Sequence, residues 1–330
     1  MTILRDETRP FRVGSDSIAK YVTQGLAIEA ARRAALARAT GSIQSSRMSV
    51  PFEGGWMRLM AAALPSLDLF GYKEFHLTND NVVRYAVHLF ALADGHPLGV
   101  VDGALVTPLR TAGSAALAAE YFFGKNTEVR LGVIGSSAEA LAGVRALNAV
   151  LKLKEVRVTS RSAENRQRFA KTIGEELALT IEPADSIAEA VRDVDMVYVA
   201  TNSNGQVVVE LKDLRSVPFV ASIGSTTPTQ RELGDDLLAG AAHVVVDSWD
   251  VLEESGDAIA AAKHGLNKDR VRLLGQMPDH KWSANDGLTV YKSIGSPEQD
   301  LVLAQMILEA AAAAGFGEHY APISAIKQNL

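Results

Sequence analysis

The 330-residue chain is 47% hydrophobic and 22% charged, enough apolar material for a large core and too balanced a mixture for a disordered or fibrous protein. Its net charge of −6, with no block of lysines and arginines, excludes the electrostatic footprint of a nucleic-acid binder. The absence of cysteine excludes disulfides, thiolate metal sites and cysteine nucleophiles together, and suits a reducing compartment.

The length exceeds the roughly 250–300 residues at which single cores divide, which predicts two domains. The N-terminal stretch MTILRDETRPFRVG is charged and lacks the apolar run of a signal peptide. The alanine-rich AQMILEAAAAAGFG is too short to span a bilayer, so a cytoplasmic protein without a membrane partner is expected. Residues 15–40 read as one helix capped by Ser15 or Ser17. From Ile43 to Val106 the runs GYKEFHL, YAVHLFAL and PLGVVDGALV, separated by TNDN and ADGHP, predict an antiparallel sheet. TAGSAALAAEYFF (111–123) predicts a helix with Thr111 near its start and Arg110 just ahead of it. From Val129 the rhythm changes. Strands at 129–134, 155–160, 195–200, 218–223 and 242–247, with helices at 138–151, 162–177 and 186–192, predict a parallel sheet with helices on both faces. A last helix, 298–314, ends at Gly315 and Gly317, which suit a C-cap.

EVRLGVIGSSAEALAGVRAL (128–147) is strand, glycine and helix in succession, the opening of a dinucleotide-binding turn. Gly135 fills the position that needs the tight turn, and Ala140 the one that keeps helix and strand close. Ser137 stands where a second glycine is usual; its small hydroxyl can donate to a phosphate oxygen. Glu139 competes with an anion for the positive end of the helix. Taken alone, one glycine fits an ordinary strand–helix turn equally well. Context adds Thr159, Ser160 and Arg161 at the end of the next strand. An acidic residue there would favour a free ribose 2′-hydroxyl, whereas arginine can pair with a 2′-phosphate, so NADP(H) is favoured and NAD(H) possible. The competing reading is a solvated loop arginine. No pattern of metal ligands is evident. Lys73 in its strand and Arg110 ahead of its helix remain bare candidates for binding an anion.

Five segments in order, LVTPLRTAGSAALAAEYF, LGVIGSSAEA, SIGSTTPTQRELGDDLL, VVVDSWDVLEESGD and LTVYKSIGSPEQDLVLAQMI, resemble successive motifs of the ornithine cyclodeaminase/mu-crystallin family. The resemblance spans residues 47 to 317. It implies an α/β fold in which a Rossmann-type doubly wound parallel sheet (113–300) lies within an α+β substrate-binding and dimerisation domain (1–112 and 301–330). It implies a homodimer, a nicotinamide cofactor, and hydride transfer at the α-carbon of a small amino or imino acid. Carried over, Arg47, Lys73 and Arg110 match substrate-binding positions, with Lys73 also the catalytic candidate. Gly135, Ser136, Ser137, Ala138, Ser160, Arg161, Thr201, Asn202, Ile223 and Gly224 match positions around the cofactor. Two guanidiniums suit an α-carboxylate. A lysine can deliver a proton if burial lowers its pKa.

The chain departs from cyclodeaminases at Thr226, which stands where they carry an aspartate. A threonine is no carboxylate base. The leading expectation is therefore an NAD(P)H-dependent imine or ketimine reductase, or amino-acid dehydrogenase. An amino-acid cyclodeaminase and a non-catalytic nucleotide-fold binding protein are the alternatives. Asp247 is expected to end a buried strand and Asp300 to cap or anchor the final helix. His76 either shapes the substrate pocket or lies on the exposed face of its strand.

Overall fold

The computed structural model describes residues 10–203, 205–214 and 216–321. Most of the charged N-terminal stretch and the end of the expected 301–330 segment therefore lie outside the described residues. The chain divides into two compact units, Met1–Arg110 with Ser296–Leu330, and Thr111–Gly295.

The first unit is built on β1 (Phe11–Val13), β2 (Gln44–Phe52), β3 (Gly55–Leu64), β4 (Leu69–Leu77), β5 (Val83–Ala91) and β6 (Pro97–Asp102). With the short Glu318–His319 they make a seven-stranded sheet in the order 318–319, β1, β6, β5, β4, β3, β2. Neighbours from β2 to β6 are antiparallel, and β1 joins β6 in parallel. Side chains alternate between the faces of a strand. One face packs on helix Pro297–Ala314 through Leu64, Leu69, Val87, Leu89, Leu301, Ile307 and Leu308, and helix Gln24–Ala39 packs against that helix in turn. Burying each such side chain contributes about 1.5–3 kcal/mol. Lys73 shares this face, since a Cβ on Gly71 would lie 3.3 Å from Leu301. His76 is on the other face, with Tyr72 stacked on His88 at 4.7 Å and Phe70 on Phe90 at 5.1 Å. The register removes His76 from the surroundings of Lys73.

Three local expectations change. The helix expected over 15–40 is two, Ser15–Tyr21 and Gln24–Ala39, because Val22 and Thr23 are extended and the Thr23 hydroxyl accepts from Leu26 N at 3.2 Å. The residue before the first of them is Gly14, not a capping serine. The helix expected from Thr111 starts at Gly103, with Pro108 inside it. Proline so near a helix start removes one hydrogen bond without breaking the turn. Segment GALV is therefore helical, and Arg110 sits within the helix rather than ahead of it.

The second unit holds β7 (Glu128–Ile134), β8 (Lys152–Thr159), β9 (Ile181–Pro183), β10 (Met196–Val199), β11 (Phe219–Ser222), β12 (His243–Val246), β13 (Val271–Leu273) and β14 (Thr289–Lys292). They form an eight-stranded sheet, β13-β12-β14-β11-β10-β7-β8-β9, in which every pairing is parallel. Buried on both faces, the central strands are largely apolar, LGVI at the end of β7, MVYV in β10 and FVAS in β11. The chain winds outward from β7 to β9, then resumes at β10 on the other side of β7. Strand order reverses between β7 and β10, and in such sheets ligands gather beyond the carboxyl ends at that point.

Candidate active site

In the first unit, Arg47, Met60 and Lys73 face one another across β2, β3 and β4. Lys73 is only 2% exposed, an expensive place for an ammonium, and it is met by Asp300, whose Oδ2 lies 2.7 Å from Nζ. Asp300 is fully buried in the first turn of helix Pro297–Ala314, whose apolar face holds it in place. Its other oxygen takes Arg110 Nε at 3.3 Å, and Arg110 Nη1 donates to Gln299 Oε1 at 3.4 Å. Burial lowers the Lys73 pKa to about 8, with the Arg110 and Arg47 charges acting the same way and Asp300 opposing them. Three residues named from sequence thus converge. The helix is capped by Ser296, not by Asp300, which anchors it to β4 through Lys73. The signal was a carboxylate opening an otherwise apolar run, SPEQDLVLAQ.

In the second unit, Gly135 follows β7 with φ of +119°, and a Cβ there would lie 2.1 Å from the Ala200 carbonyl oxygen. Only glycine fits. Ser137 is the N-cap of helix Ala138–Val150, yet its exposed side chain makes no capping bond. The first-turn N–H groups of a helix have no acceptor within the helix. Ser136 Oγ donates to Ser160 Oγ at 2.9 Å, joining the turn to the end of β8. Arg161 Nη2 donates to the Asn202 carbonyl at 3.3 Å, joining β8 to the segment after β10.

Sequence reasoning missed the group that holds these ends in register. Glu232, 1% exposed, accepts from Thr201 N and Thr201 Oγ1 through Oε1, both at 2.7 Å. Its Oε2 accepts from Ser222 Oγ at 2.9 Å, Gly224 N at 2.7 Å and Ser225 N at 3.2 Å. A Cβ on Gly224 would lie 2.1 Å from Glu232 Oε1, so the glycine is required by the carboxylate's approach. Buried Lys292 supplies the counter-charge, 3.8 Å from Glu232 and 3.3 Å from Asp257, and donates to Ser222 Oγ at 2.9 Å. Asp257 in turn accepts from Glu232 N at 2.9 Å. Asp247 is spent on structure, accepting from Ser293 Oγ and Gly295 N at 2.7 Å each. Thr226 hydrogen-bonds Gln230 Oε1 from N at 3.0 Å and from Oγ1 at 3.2 Å. Among the described residues no group of three or more acidic, histidine or cysteine side chains is placed to hold a metal, and no helix is long and apolar enough to cross a membrane.

Replacing Glu232 with Gln turns an amide NH₂ toward N–H donors and leaves Lys292 short of a counter-ion. We expect a loss of about 3–5 kcal/mol in urea unfolding, the range for breaking a buried ion pair. An unchanged midpoint would show that the network carries no such load.

The chain matches the ornithine cyclodeaminase/mu-crystallin family over residues 14–315. It is similar to the Delta(1)-pyrroline-2-carboxylate reductase of Bacillus cereus, 28% identical over 291 residues, covering 84% of this chain and 89% of that protein. It is also similar to the mouse (Mus musculus) ketimine reductase mu-crystallin, 27% identical over 277 residues, covering 82% and 85%. Among solved structures it resembles the Thermococcus litoralis Delta(1)-pyrroline-2-carboxylate reductase in complex with NADH and L-proline. The TM-score there is 0.85 at 24% identity, with 93% of this chain and 99% of that one covered. The chain belongs to the ornithine cyclodeaminase/mu-crystallin family.

Proposed function

We propose that this protein is a nicotinamide-dependent oxidoreductase acting on the C–N bond of small amino and imino acids. It reduces the imine of a 2-oxo acid to the amino acid, or runs the reverse oxidation. The observation that carries this reading is the buried Lys73 ammonium, paired with Asp300 and flanked by Arg110 and Arg47. Such a cluster binds a carboxylate and holds a proton ready beside it. The pyrroline-carboxylate and ketimine reductases among its relatives support the same reaction class.

The turn after β7 fits a nicotinamide dinucleotide. Gly135 makes the tight turn with positive φ, the Ser137 hydroxyl is exposed, and the N-terminus of helix Ala138–Val150 attracts a diphosphate. Gly135, Ser136, Ser137 and Ala138 would hold the diphosphate, Ser160 and Arg161 the adenosine ribose. Thr201, Asn202, Ile223 and Gly224 would border the nicotinamide. Bound there, the cofactor supplies or takes up the hydride at the substrate's α-carbon. The protein's own residues do the rest. Arg47 and Arg110 fix the α-carboxylate, and Lys73 hydrogen-bonds it or passes a proton to or from the substrate nitrogen. Asp300 keeps the lysine in place. Thr226 offers no carboxylate for ring closure, which sets cyclodeamination aside. Preference for NADP(H) rests on Arg161, exposed at the end of β8 and aimed toward Asn202. The homodimer is proposed to form through the sheet face that leaves Met48, Val50 and Phe52 exposed.

A proton donor of pKa about 8 gives the pH dependence its sign. Lys73 is charged below that value, so reduction should slow as pH rises through about 8, while oxidation speeds up over the same interval. Lys73→Met should cut kcat about a hundred- to ten-thousandfold and abolish this inflection. Steady-state rates with imino acids and either reduced nucleotide read both; a folded wild-type protein silent with both would sink the reading. Arg161→Ala should weaken NADPH binding roughly tenfold and NADH far less, the worth of one charge-assisted hydrogen bond. Equal losses in calorimetry would mean that the guanidinium does not meet the 2′-phosphate. Val50→Lys, which places a charge on the exposed face, should convert a sedimenting dimer to monomer; an undisturbed dimer would locate the interface elsewhere.

A further inference from the structure

One cation on the substrate face has no part in the cluster around Lys73. Arg58 lies on β3 opposite Phe75 of β4 and Ser49 of β2, one row along from the Arg47–Met60–Lys73 row and on the same face. The two rows are separated by two residues of strand, roughly 7 Å. Arg58 is half-buried, its guanidinium carbon 4.9 Å above the Trp56 ring. Its Nε–H is sealed from solvent and has no acceptor, and no carboxylate pairs with it among the described residues. Three carboxylates of this unit are engaged elsewhere: Asp300 by Lys73 and Arg110, Glu298 by Arg38 at 2.7 Å, Asp80 by Arg84 at 2.6 Å.

An aromatic strip runs from Lys73 past Phe75, which shares Arg58's row, to Trp56, over whose ring the guanidinium lies. Lys73 Nζ is 5.1 Å from the Phe75 ring, Phe75 stacks on Tyr85 at 5.5 Å, and it meets Trp56 edge-on at 5.5 Å. Arg58 closes the strip at its far end. A sealed guanidinium donor without an acceptor is costly unless a ligand supplies one. Trp56 offsets part of that cost through its π-face, but it accepts no hydrogen bond from Nε.

We propose that Arg58 is a specificity-determining residue, and that the substrate is an imino or amino acid carrying a second carboxylate on its side chain. This rests on the imine-reducing reading above. The α-carboxylate takes the Arg47, Lys73 and Arg110 position. A short methylene chain lies along Phe75, and the distal carboxylate accepts from Arg58. The guanidinium's flexible stem lets it meet a carboxylate one or two methylenes beyond the α-carbon. The Phe75 ring suits that chain while offering no hydrogen bond to a neutral polar side chain.

The experiment compares ammonium plus oxaloacetate or 2-oxoglutarate with ammonium plus pyruvate or 2-oxobutyrate, using one reduced nucleotide throughout. Wild-type kcat/KM should favour the dicarboxylic partners by about 10- to 100-fold, the range for one charge-assisted hydrogen bond. Arg58→Met keeps an apolar stem on Trp56 and removes the charge. It should erase that preference by raising KM for the dicarboxylic compounds, leaving the monocarboxylic rates and nucleotide affinity unchanged and the melting temperature no lower. Arg58→Lys should restore part of the preference, whereas a purely structural role would not separate the two substrate classes. A wild-type preference for monocarboxylic partners, or equal losses on both classes in Arg58→Met, overturns the substrate class and leaves the reaction standing. Activity on neither class overturns the reaction and this inference with it.

Discussion

An ammonium removed from water has to be met by a negative charge, and the site in the first unit is organised around that requirement. Lys73 stands in the middle of a sheet, with hydrogen-bonded strands on both sides and no carboxylate among its neighbours in the same row. The carboxylate comes instead from Asp300, at the start of a helix near the end of the chain. That helix is held by Leu301, Leu303, Ile307 and Leu308, so apolar packing sets where the charge goes. Burial still outweighs the pairing, because two arginines share the neighbourhood, and the lysine is left able to exchange its proton near neutral pH.

The second unit applies the same constraint to a different end. Glu232, Lys292 and Asp257 are buried together, and the carboxylates spend their lone pairs on backbone N–H groups and hydroxyls at the ends of strands. Parallel strands end in loops, and loops drift unless something ties them. Here a charged network performs that task beside the residues proposed to border the nicotinamide. Fully satisfied, such a network rigidifies; partly satisfied, it is costly.

Much of this was legible from residue order. The alternation of apolar strands and helices after Val129 announced a parallel sheet, because strands buried on both faces are unmistakably hydrophobic. Gly135 and the strand end at Ser160 and Arg161 were visible for a similar reason, since their roles depend on local geometry. What stayed hidden depends on distant partners. Asp300 and Glu232 look like ordinary acidic residues until the fold delivers Lys73 and Thr201 to them. The helix break at Thr23 was masked by strong alanine propensity on both sides. The early start at Gly103 was masked by Pro108, which reads as punctuation although a helix tolerates it near its beginning. Arg58 went unremarked because a single arginine in a strand gives no hint of which row it will occupy.

The order in which the chain is made bears on the first unit differently from the second. Thr111–Gly295 is one continuous segment and emerges from a ribosome complete. The first unit is interrupted, and helix Pro297–Ala314 fills its core and carries Asp300. Throughout synthesis of the second unit the opening sheet exists without that helix, its apolar face uncovered and its lysine unpaired. The segment made after the second unit is therefore the one that closes the first core, and a ribosome stalled before it holds a chain in which the proposed catalytic lysine has no counter-ion.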